Sequence, residues 1–286
     1  MIATLAAIHI HPVKSCAPLA LQAASVEARG LAHDRRYLVV DADGRFLTGR
    51  QLPRLTLLRA LPVAGGLALQ APGMPAHALA APDGNPERIT VTVWGDTVDA
   101  AACEAAVDAW LSRFLGQPVR LAHMDHLAQR AVDPAYGRAG DEVGFADGYP
   151  LLLLSQAAHD ALNARLARPV PITRFRPNLV VAGCAPHAED GWRRIRIGAT
   201  EFDLVKPCTR CVFTTVDGER GAFSEDGEPL ATLKAYRRGP RGITFGQNLI
   251  ARGGGVLRVG DAVAVLAGGS ARRGRCARYA AAARHR

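Results

Sequence analysis

Two cysteines three residues apart form the segment of this 286-residue chain whose residue types suggest the most chemistry. Cys208 and Cys211 are flanked by the cations Lys206 and Arg210. Positive charge stabilises a thiolate over a thiol, so one of the two sulfurs could be ionised at neutral pH. Since a thiolate is either a metal ligand or a nucleophile, the segment indicates metal binding or thiol chemistry.

The cysteine pair alone leaves several interpretations open. A dithiol redox pair usually begins a helix, whereas residues 212–216 are strand formers and predict a strand. Half of a structural zinc site would need a second Cys or His pair at matching spacing, and the sequence has none. A third interpretation is that one cysteine binds a single soft metal while the other is structural. A fourth is that both are buried and inert.

Cations elsewhere in the chain suggest an anionic ligand. Lys14 and Ser15 are followed by Arg35 in a nearby predicted strand, and the three could hold a phosphate through charge-assisted hydrogen bonds. The stretch that contains Arg176 and Asn178 adds a guanidinium and an amide, which suit a heterocycle with several acceptors.

A two-histidine metal site is a further alternative. His9 and His11 alternate along a predicted strand and would therefore share one face, although no carboxylate lies near them in the sequence. No Gly-x-Ser-x-Gly motif and no glycine-rich phosphate loop occurs.

Hydrophobic patterns predict the elements that position these residues. The predicted strands are residues 2–10, 19–26, 36–41, 45–48, 55–61, 66–70, 88–94, 119–123, 151–154, 179–182, 194–197, 201–205, 212–216 and 256–266. One helix is predicted from Val107 to Leu115 with a stop at Gly116, because its apolar residues recur at helical spacing. Further helices are predicted after Ser155, as an N-cap, and at residues 229–237.

The order of these elements favours one fold class. There is no repeat and no βαβ alternation, so we expect an α+β, mainly β protein with antiparallel, barrel-like sheets and a few outer helices. An approximate domain boundary is expected at residues 116–125. Residues 125–150 form a long irregular stretch, which in a compact domain often serves as a lid or a site wall.

Composition restricts location and partners. The net charge of +9 is concentrated in six arginines after Ala271, so the remainder is nearly balanced and no stable nucleic-acid binding is expected. No apolar run approaches the roughly 18 residues of a membrane span, and the N-terminus lacks a basic leader. Widely and irregularly spaced cysteines are typical of a reducing, cytoplasmic setting.

Seven motifs in this order resemble the MOSC superfamily with its N-terminal β-barrel partner domain. They are Pro12-Val-Lys-Ser15, Asp34-Arg35, Phe145-Ala-Asp-Gly-Tyr-Pro150, Phe175-Arg-Pro-Asn178, Lys206-Pro-Cys-Thr-Arg-Cys211, Phe245-Gly-Gln-Asn-Leu-Ile-Ala-Arg252 and Val259-Gly-Asp261. The chain is most similar to the bacterial branch that protects against N-hydroxylated bases, akin to the mitochondrial amidoxime-reducing component. The resemblance covers residues 1 to about 267.

The resemblance implies an organisation and a cofactor. It implies an N-terminal MOSC β-barrel domain at residues 1–120, an antiparallel β-barrel MOSC domain at 121–267 and an Arg-rich disordered tail at 268–286. It also implies a molybdenum cofactor, Mo-pyranopterin, in which Cys211 is the metal ligand and catalytic residue while Cys208 does not ligate. The cofactor-binding residues that it implies are Lys14, Ser15, Arg35, Arg176, Asn178, Thr209, Arg210 and Gln247.

The implied activity is the two-electron reduction of an N–O bond in small N-hydroxylated compounds such as hydroxylamines, amidoximes and N-hydroxylated bases. The remaining cysteines lack iron–sulfur spacing, so the electrons are expected from a separate protein, a ferredoxin or flavin reductase. The alternative is a non-catalytic molybdenum-cofactor or sulfur-carrier module, related to the C-terminal part of molybdenum-cofactor sulfurase. That family's pyridoxal-phosphate domain has no counterpart in this sequence. A thiol redox protein is a third hypothesis.

Overall fold

The structure, a computed structural model, describes residues 2–268. The predicted tail at residues 268–286 therefore lies, apart from its first residue, outside the described residues. The predicted fold class is confirmed, since the described chain consists mainly of strands and nearly all strand pairs are antiparallel. No helix within residues 2–268 is long and apolar enough to cross a membrane.

The described residues form 21 strands, three α-helices and four short 3-10 helices. The strands are β1 Thr4–Ile10, β2 Leu19–Leu21, β3 Ala23–Glu27, β4 Gly30–Leu31, β5 Tyr37–Val40, β6 Arg59–Val63, β7 Gly66–Gln70, β8 His77–Ala80, β9 Arg88–Val93, β10 Asp96–Ala102, β11 Arg120–His123, β12 Leu151–Ser155, β13 Leu179–Ala182, β14 Trp192–Ile197, β15 Thr200–Thr209, β16 Val216–Asp217, β17 Ala222–Phe223, β18 Arg238–Gly239, β19 Gly242–Ala251, β20 Gly255–Arg258 and β21 Val263–Gly268. The α-helices are α1 Ala105–Leu115, α2 Gln156–Asn163 and α3 Leu230–Tyr236. The 3-10 helices are Pro53–Leu57, Ile172–Phe175, Ala188–Gly191 and Val212–Thr215.

The largest sheet closes into a barrel, called here the large barrel. Its strand order is β2-β1-β13-β12-β19-β15-β14-β21, and β18 also pairs with β19. A bridge between Thr4 and Ala262 joins β1 to the start of β21 and closes the ring. Alternate residues such as Leu151, Leu153 and Leu249 face one buried apolar cluster, so the period-2 pattern of the strands fills the barrel interior.

One strand pair of the large barrel departs from the predicted absence of βαβ units. β12 and β13 are parallel and are connected through α2. Helix α2 of this crossover begins directly after Ser155, which is the predicted N-cap. Its hydroxyl accepts a hydrogen bond from the Ala158 N–H at 3.2 Å. The helix ends at Asn163.

A second, smaller barrel forms from the sheet β5-β11-β10-β9. Bridges from Phe46 to Val40 and from Arg45 to Thr92 place the segment after β5 between β5 and β9, which closes this sheet as well. A buried cluster that includes Leu38, Val91 and Phe145 occupies its interior. Outside it, α1 packs its predicted apolar face against the sheet β6-β7-β8 and buries Trp110 and Phe114 in a further cluster.

The N-terminal and C-terminal parts of the chain contribute strands to the same sheets. β1 and β2 belong to the large barrel although they begin the chain, and β20 returns from the C-terminal part to pair with β3. The predicted division at residue 120 therefore does not separate the sheets, and it falls at the first residue of β11. The stretch predicted to be irregular contains no named element between β11 and β12, and it runs along the junction of the barrels.

Local hydrogen bonding explains the clearest error in the predicted elements. The predicted strand at residues 212–216 is wrong, because Val212–Thr215 forms a 3-10 helix. The hydroxyl of Thr214 donates to the Cys211 carbonyl at 2.9 Å, and that of Thr215 donates to the Val212 carbonyl at 2.8 Å. Such side-chain-to-backbone bonds compete with strand pairing and outweigh the β propensity of threonine.

Four other predicted strands differ in extent. Residues 19–26 form two strands, as do 256–266, and residues 45–48 make only isolated bridges. Residues 55–61 are divided between a 3-10 helix and β6. Short interruptions of one to four residues divide three of these runs, and hydrophobic periodicity does not register them.

Truncation of the large barrel's interior should destabilise the fold. Leu153 is fully buried on β12, so Leu153→Ala should lower the free energy of unfolding by about 2–5 kcal/mol through lost burial and a cavity. Urea denaturation followed by circular dichroism measures this change. Val265 on β21 is 45% exposed, so Val265→Ala is the control and should change stability by less than about 0.5 kcal/mol. Equal effects of the two substitutions would contradict the assigned interior.

Candidate active site

A cavity of about 500 Å³ opens where the two barrels and the irregular stretch meet. Residues from both parts of the chain line it, together with residues of the stretch between β11 and β12. The lining residues are Lys14, Ser15, Arg35, Thr48, Arg50, Trp94, Ala146, Asp147, Gly148, Tyr149, Leu151, Leu152, Arg174, Phe175, Arg176, Asn178, Lys206, Pro207, Cys208, Thr209, Arg210, Cys211, Phe213, Thr214 and Asn248. The cavity thus brings together all the predicted site residues except Gln247.

The two cysteines of the cavity differ in exposure. Cys211 is exposed, and the 3-10 helix that follows it turns the chain away from β15. Cys208 is half-buried, and burial raises the pKa of its thiol. The thiol presented to a ligand is therefore that of Cys211. The strand argument against a dithiol redox pair is wrong, but a raised pKa at Cys208 is unlike the depressed pKa of reactive redox cysteines.

Lys14 and Ser15 follow β1 and form one side of the cavity. The Lys14 ammonium donates to the Phe145 carbonyl at 2.7 Å and to the Asp147 carboxylate at 2.6 Å. Burial lowers the pKa of Lys14, and the nearby Asp147 charge opposes that shift. Since an ammonium has three donors, one N–H of Lys14 remains for a ligand.

Arg35 is held in place by three acceptors. It donates to the Asp34 carboxylate at 2.5 Å, to the Asn178 amide oxygen at 2.9 Å and to the Arg176 carbonyl at 3.2 Å. Asp34 is buried, and although burial acts to raise its pKa, the Arg35 guanidinium holds that pKa below its usual range. Arg35 is therefore a fixed cation.

Asn178 supports Arg35 from behind. Its amide oxygen also accepts from the Leu152 N–H at 3.1 Å, and its amide nitrogen donates to the His9 carbonyl at 3.1 Å. The residue is fully buried. Its polar groups are engaged within the protein, so Asn178 positions the guanidinium of Arg35.

Arg176 has a donor without a partner. One terminal nitrogen of its guanidinium donates to the Cys16 carbonyl at 2.7 Å, whereas the other is buried and makes no hydrogen bond. Burial, together with the charge of Arg35, lowers the pKa of Arg176 to about 10, so the group remains charged at neutral pH. A buried guanidinium N–H without an acceptor is costly, and an anionic ligand in the cavity would supply that acceptor.

Backbone strain is concentrated at the cavity. Within residues 2–268, six non-glycine residues have left-handed backbones, and four of them line the cavity. They are Ser15 with φ 69°, Arg35 with φ 48°, Trp94 with φ 57° and Arg176 with φ 54°. Side chains rarely adopt this region, and such strain clusters at functional sites. Ser15, Arg35 and Arg176, three of the predicted cofactor-binding residues, are therefore placed at the cavity by unusual backbone turns.

Two predicted cofactor-binding residues have their side-chain donors bound to other parts of the protein. The Arg210 guanidinium donates to the carbonyls of Phe245 and Phe175 and so braces the cavity wall. The Gln247 side chain is buried and donates to Asp190 at 2.8 Å, away from the cavity. Because neighbouring side chains of a strand point to opposite faces, its neighbour Asn248 lines the cavity instead.

Sequence reasoning missed several cavity residues. Thr48, Arg50 and Trp94 come from the small barrel and carry no local motif, while Asp147 and Tyr149 lie in the irregular stretch that was predicted as a site wall. That stretch is therefore a wall of the cavity, as predicted.

The sequence shows Lys206 only as a neighbour of the cysteines. It also lines the cavity, and its ammonium lies 4.4 Å from the centroid of the Tyr136 ring and 5.8 Å from that of Tyr149. The aromatic rings thus support a further cation at the site.

The alternative metal sites find no support in the described residues. No group of three or more His, Cys, Asp or Glu side chains that could hold a metal ion occurs within residues 2–268. His9 and His11 are buried in the barrel wall and do not line the cavity. A metal bound through Cys211 would therefore need its further ligands from a non-protein group bound together with it.

Comparisons with known proteins match both parts of the chain. The MOSC N-terminal beta barrel domain matches residues 2–118, and the MOSC domain matches residues 140–264. Mitochondrial amidoxime-reducing component 1 of Danio rerio is 39% identical over 270 residues, which cover 89% of this chain and 82% of that protein. The Homo sapiens protein of the same name is 35% identical over 284 residues, covering 93% and 83%. The crystal structure of the YuaD protein from Bacillus subtilis covers 92% of this chain and 94% of its own, with 12% identity and a TM-score of 0.39.

Thiol labelling should distinguish the two cysteines. We expect iodoacetamide at pH 7 to modify Cys211 at least about tenfold faster than Cys208, because Cys208 is less exposed and burial raises its pKa. Peptide mass spectrometry measures both rates. A Cys276→Ser background removes the cysteine outside the described residues, and Cys211→Ser should abolish the fast phase. A fast phase that survives Cys211→Ser but is lost in Cys208→Ser would contradict the assignment.

Proposed function

Because the chain belongs to the MOSC-domain family, in the group of the amidoxime-reducing components, we propose that it is a molybdenum-cofactor-dependent reductase of N-hydroxylated compounds. The net reaction is R–NH–OH + 2 e⁻ + 2 H⁺ → R–NH₂ + H₂O. The N–O bond breaks, the nitrogen is reduced, and the oxygen leaves as water. A separate donor protein, a ferredoxin or flavin reductase, supplies the electrons.

One observation carries the proposal: an exposed cysteine opens into a cavity whose lining cations outnumber the acids that pair with them, even when Asp34 with Arg35 and Asp217 with Arg174 are included. The lining side chains include seven Lys and Arg residues and one acid, Asp147. The cations are Lys14, Arg35, Arg50, Arg174, Arg176, Lys206 and Arg210. Together with the unpartnered N–H of Arg176, this excess fits a ligand that carries a phosphate and a soft metal centre.

The residues present fit a molybdenum pyranopterin. Lys14, Ser15, Arg35 and Arg176 would hold its phosphate and pterin, and Cys211 would donate a thiolate to the metal. Asn178 would act indirectly by fixing Arg35, with which it shares a 2.9 Å hydrogen bond. When bound, the cofactor would supply the two-electron redox chemistry that protein side chains lack.

Side chains of the protein make the cavity selective for anions and leave it open to a substrate and an electron donor. Arg35 is locked by Asp34 and Asn178, and Lys14 by Asp147, so the cations need no rearrangement when an anion binds. Such preorganisation strengthens electrostatic binding. The exposure of Cys211 leaves an open route for a small substrate and for an electron donor. The cytoplasmic location and the absence of nucleic-acid binding stay predictions from the sequence.

Metal and pterin analysis tests the proposal. Protein expressed with molybdate should contain close to one molybdenum and one pterin per chain and should reduce benzamidoxime with reduced methyl viologen. We expect Cys211→Ala to lower molybdenum and activity by more than about tenfold, because a metal–thiolate bond is lost. Cys208→Ala is the matched control and should keep most of both, since its side chain is half-buried and is not the presented thiol.

The alternatives give different outcomes. A cofactor or sulfur carrier would contain molybdenum but would not turn over benzamidoxime. A dithiol redox protein would contain no molybdenum and would be equally sensitive at both cysteines. Either result would refute the proposed reductase.

A further inference from the structure

We propose that Arg50 and Trp94, stacked at the rim of the cavity, select flat conjugated N-hydroxylated substrates over puckered aliphatic ones of similar size. This pair is called the Arg50–Trp94 platform. The inference rests on the proposed reductase function and adds its specificity-determining residues. Both side chains come from the first hundred residues, and neither belongs to the predicted cofactor cradle.

Trp94 occupies a backbone position that its side chain disfavours. It begins the two-residue connection between β9 and β10, whose flanking residues Val93 and Asp96 pair directly. The φ of Trp94 is 57°, in the region that turns of this length usually fill with Gly, Asn or Asp. Its side chain is nevertheless large, and 46% of its surface is exposed. A strained, exposed indole at a cavity indicates a functional use of the ring.

Contacts fix the orientation of the Trp94 ring. The indole N–H donates to the Asp147 carboxylate at 3.3 Å, and the same carboxylate oxygen accepts from Lys14 at 2.6 Å. Phe46 packs against the ring with centroids 5.1 Å apart. The platform is thus tied to the cationic side of the cavity through a single carboxylate.

Arg50 completes the platform with a flat cation. The carbon of its guanidinium lies 4.3 Å from the centroid of the Trp94 ring, and the group forms no ion pair within residues 2–268. A guanidinium stacked on an indole is planar and weakly hydrated. Its charge is therefore available to a ligand in the cavity, which both residues line.

The segment that carries Arg50 also touches the chain just after the active cysteine. Thr48 and Gln51 hydrogen-bond to each other at 2.5 Å and fix the turn. At Gly49, an added Cβ would lie 2.2 Å from the Phe213 ring, so a larger residue would have to displace that ring. Phe213 is two residues beyond Cys211. The segment that carries the platform therefore contacts the chain just after the presented thiol, and both line the same cavity.

This geometry discriminates by ligand shape. A conjugated ring or amidine can stack in parallel on guanidinium and indole planes, whereas a puckered ring of equal size touches them at only a few atoms. The contact lies on the substrate's body, away from the N–O bond, so it contributes to ground-state and transition-state binding alike. Loss of the platform should then raise KM and leave kcat nearly unchanged.

The test compares benzamidoxime with cyclohexanecarboxamidoxime, which have similar size but a flat and a puckered ring. Holoenzyme is assayed with reduced methyl viologen. We expect Arg50→Ala and Trp94→Ala to raise KM for benzamidoxime about fivefold to tenfold, and KM for the cyclohexyl compound less than about twofold. Arg50→Lys keeps the charge but loses the plane, so it should resemble Arg50→Ala.

Arg54→Ala is the matched control, because Arg54 stacks on Phe114 at 5.1 Å but does not line the cavity. It should change neither KM. Molybdenum content and melting temperature are measured for every variant, and the two Arg50 variants provide the test if Trp94→Ala does not fold.

Equal KM changes for the two substrates, or loss of molybdenum in the Arg50 variants, would overturn the platform's role while leaving the reductase function in place. A molybdenum-loaded wild-type enzyme that reduces neither compound would instead overturn the reductase function, and the inference with it.

Discussion

Two partly buried guanidiniums held side by side are the constraint on which the site depends. Arg35 donates to the backbone carbonyl of Arg176 at 3.2 Å, and the charge of Arg35 adds to burial in lowering the pKa of Arg176, so the two like charges lie near each other. Asp34 compensates Arg35 directly, whereas Arg176 keeps one buried N–H without an acceptor. Like charges in a low-dielectric setting repel strongly. The arrangement is unfavourable by itself and becomes favourable when an anion completes it.

The architecture serves to hold those charges in place. Arg35 and Asp34 lie between β4 and β5, and Arg176 and Asn178 precede β13. Cys208 lies near the end of β15, and Cys211 follows that strand directly before the 3-10 helix. Strand pairing between distant parts of the chain fixes these segments relative to one another, because β1 from the N-terminal part pairs with β13 from the C-terminal part. The stretch between β11 and β12 then closes the remaining side through the salt bridge of Asp147 with Lys14. The site is thus assembled from separate segments of the chain that strand pairing and one salt bridge hold together.

Much of the fold and the cradle could be predicted from the sequence, and the remainder has identifiable physical reasons. The spacing of apolar residues predicted α1 and most strands. The ordered motifs predicted eight cofactor-binding residues, and seven of the eight line one cavity. Gln247 was misplaced because a motif does not show which face a strand residue takes. Arg50 and Trp94 were missed because they reach the cavity only through closure of the small barrel. The 3-10 helix after Cys211 was missed because two threonine hydroxyls bond to backbone carbonyls, and strand propensity does not account for such bonds.

The stability of an Arg176→Met variant, with and without cofactor, tests the central claim most directly. In cofactor-free protein from a host that cannot make the pterin, the substitution removes a partly buried charge that has one buried N–H without an acceptor. The free energy of unfolding should therefore stay the same or rise, by up to about 4 kcal/mol. In cofactor-replete expression the variant should bind much less pterin and should lose the stabilisation that the cofactor gives to the wild type. A variant that is strongly destabilised without cofactor, yet still fills with pterin, would contradict the account.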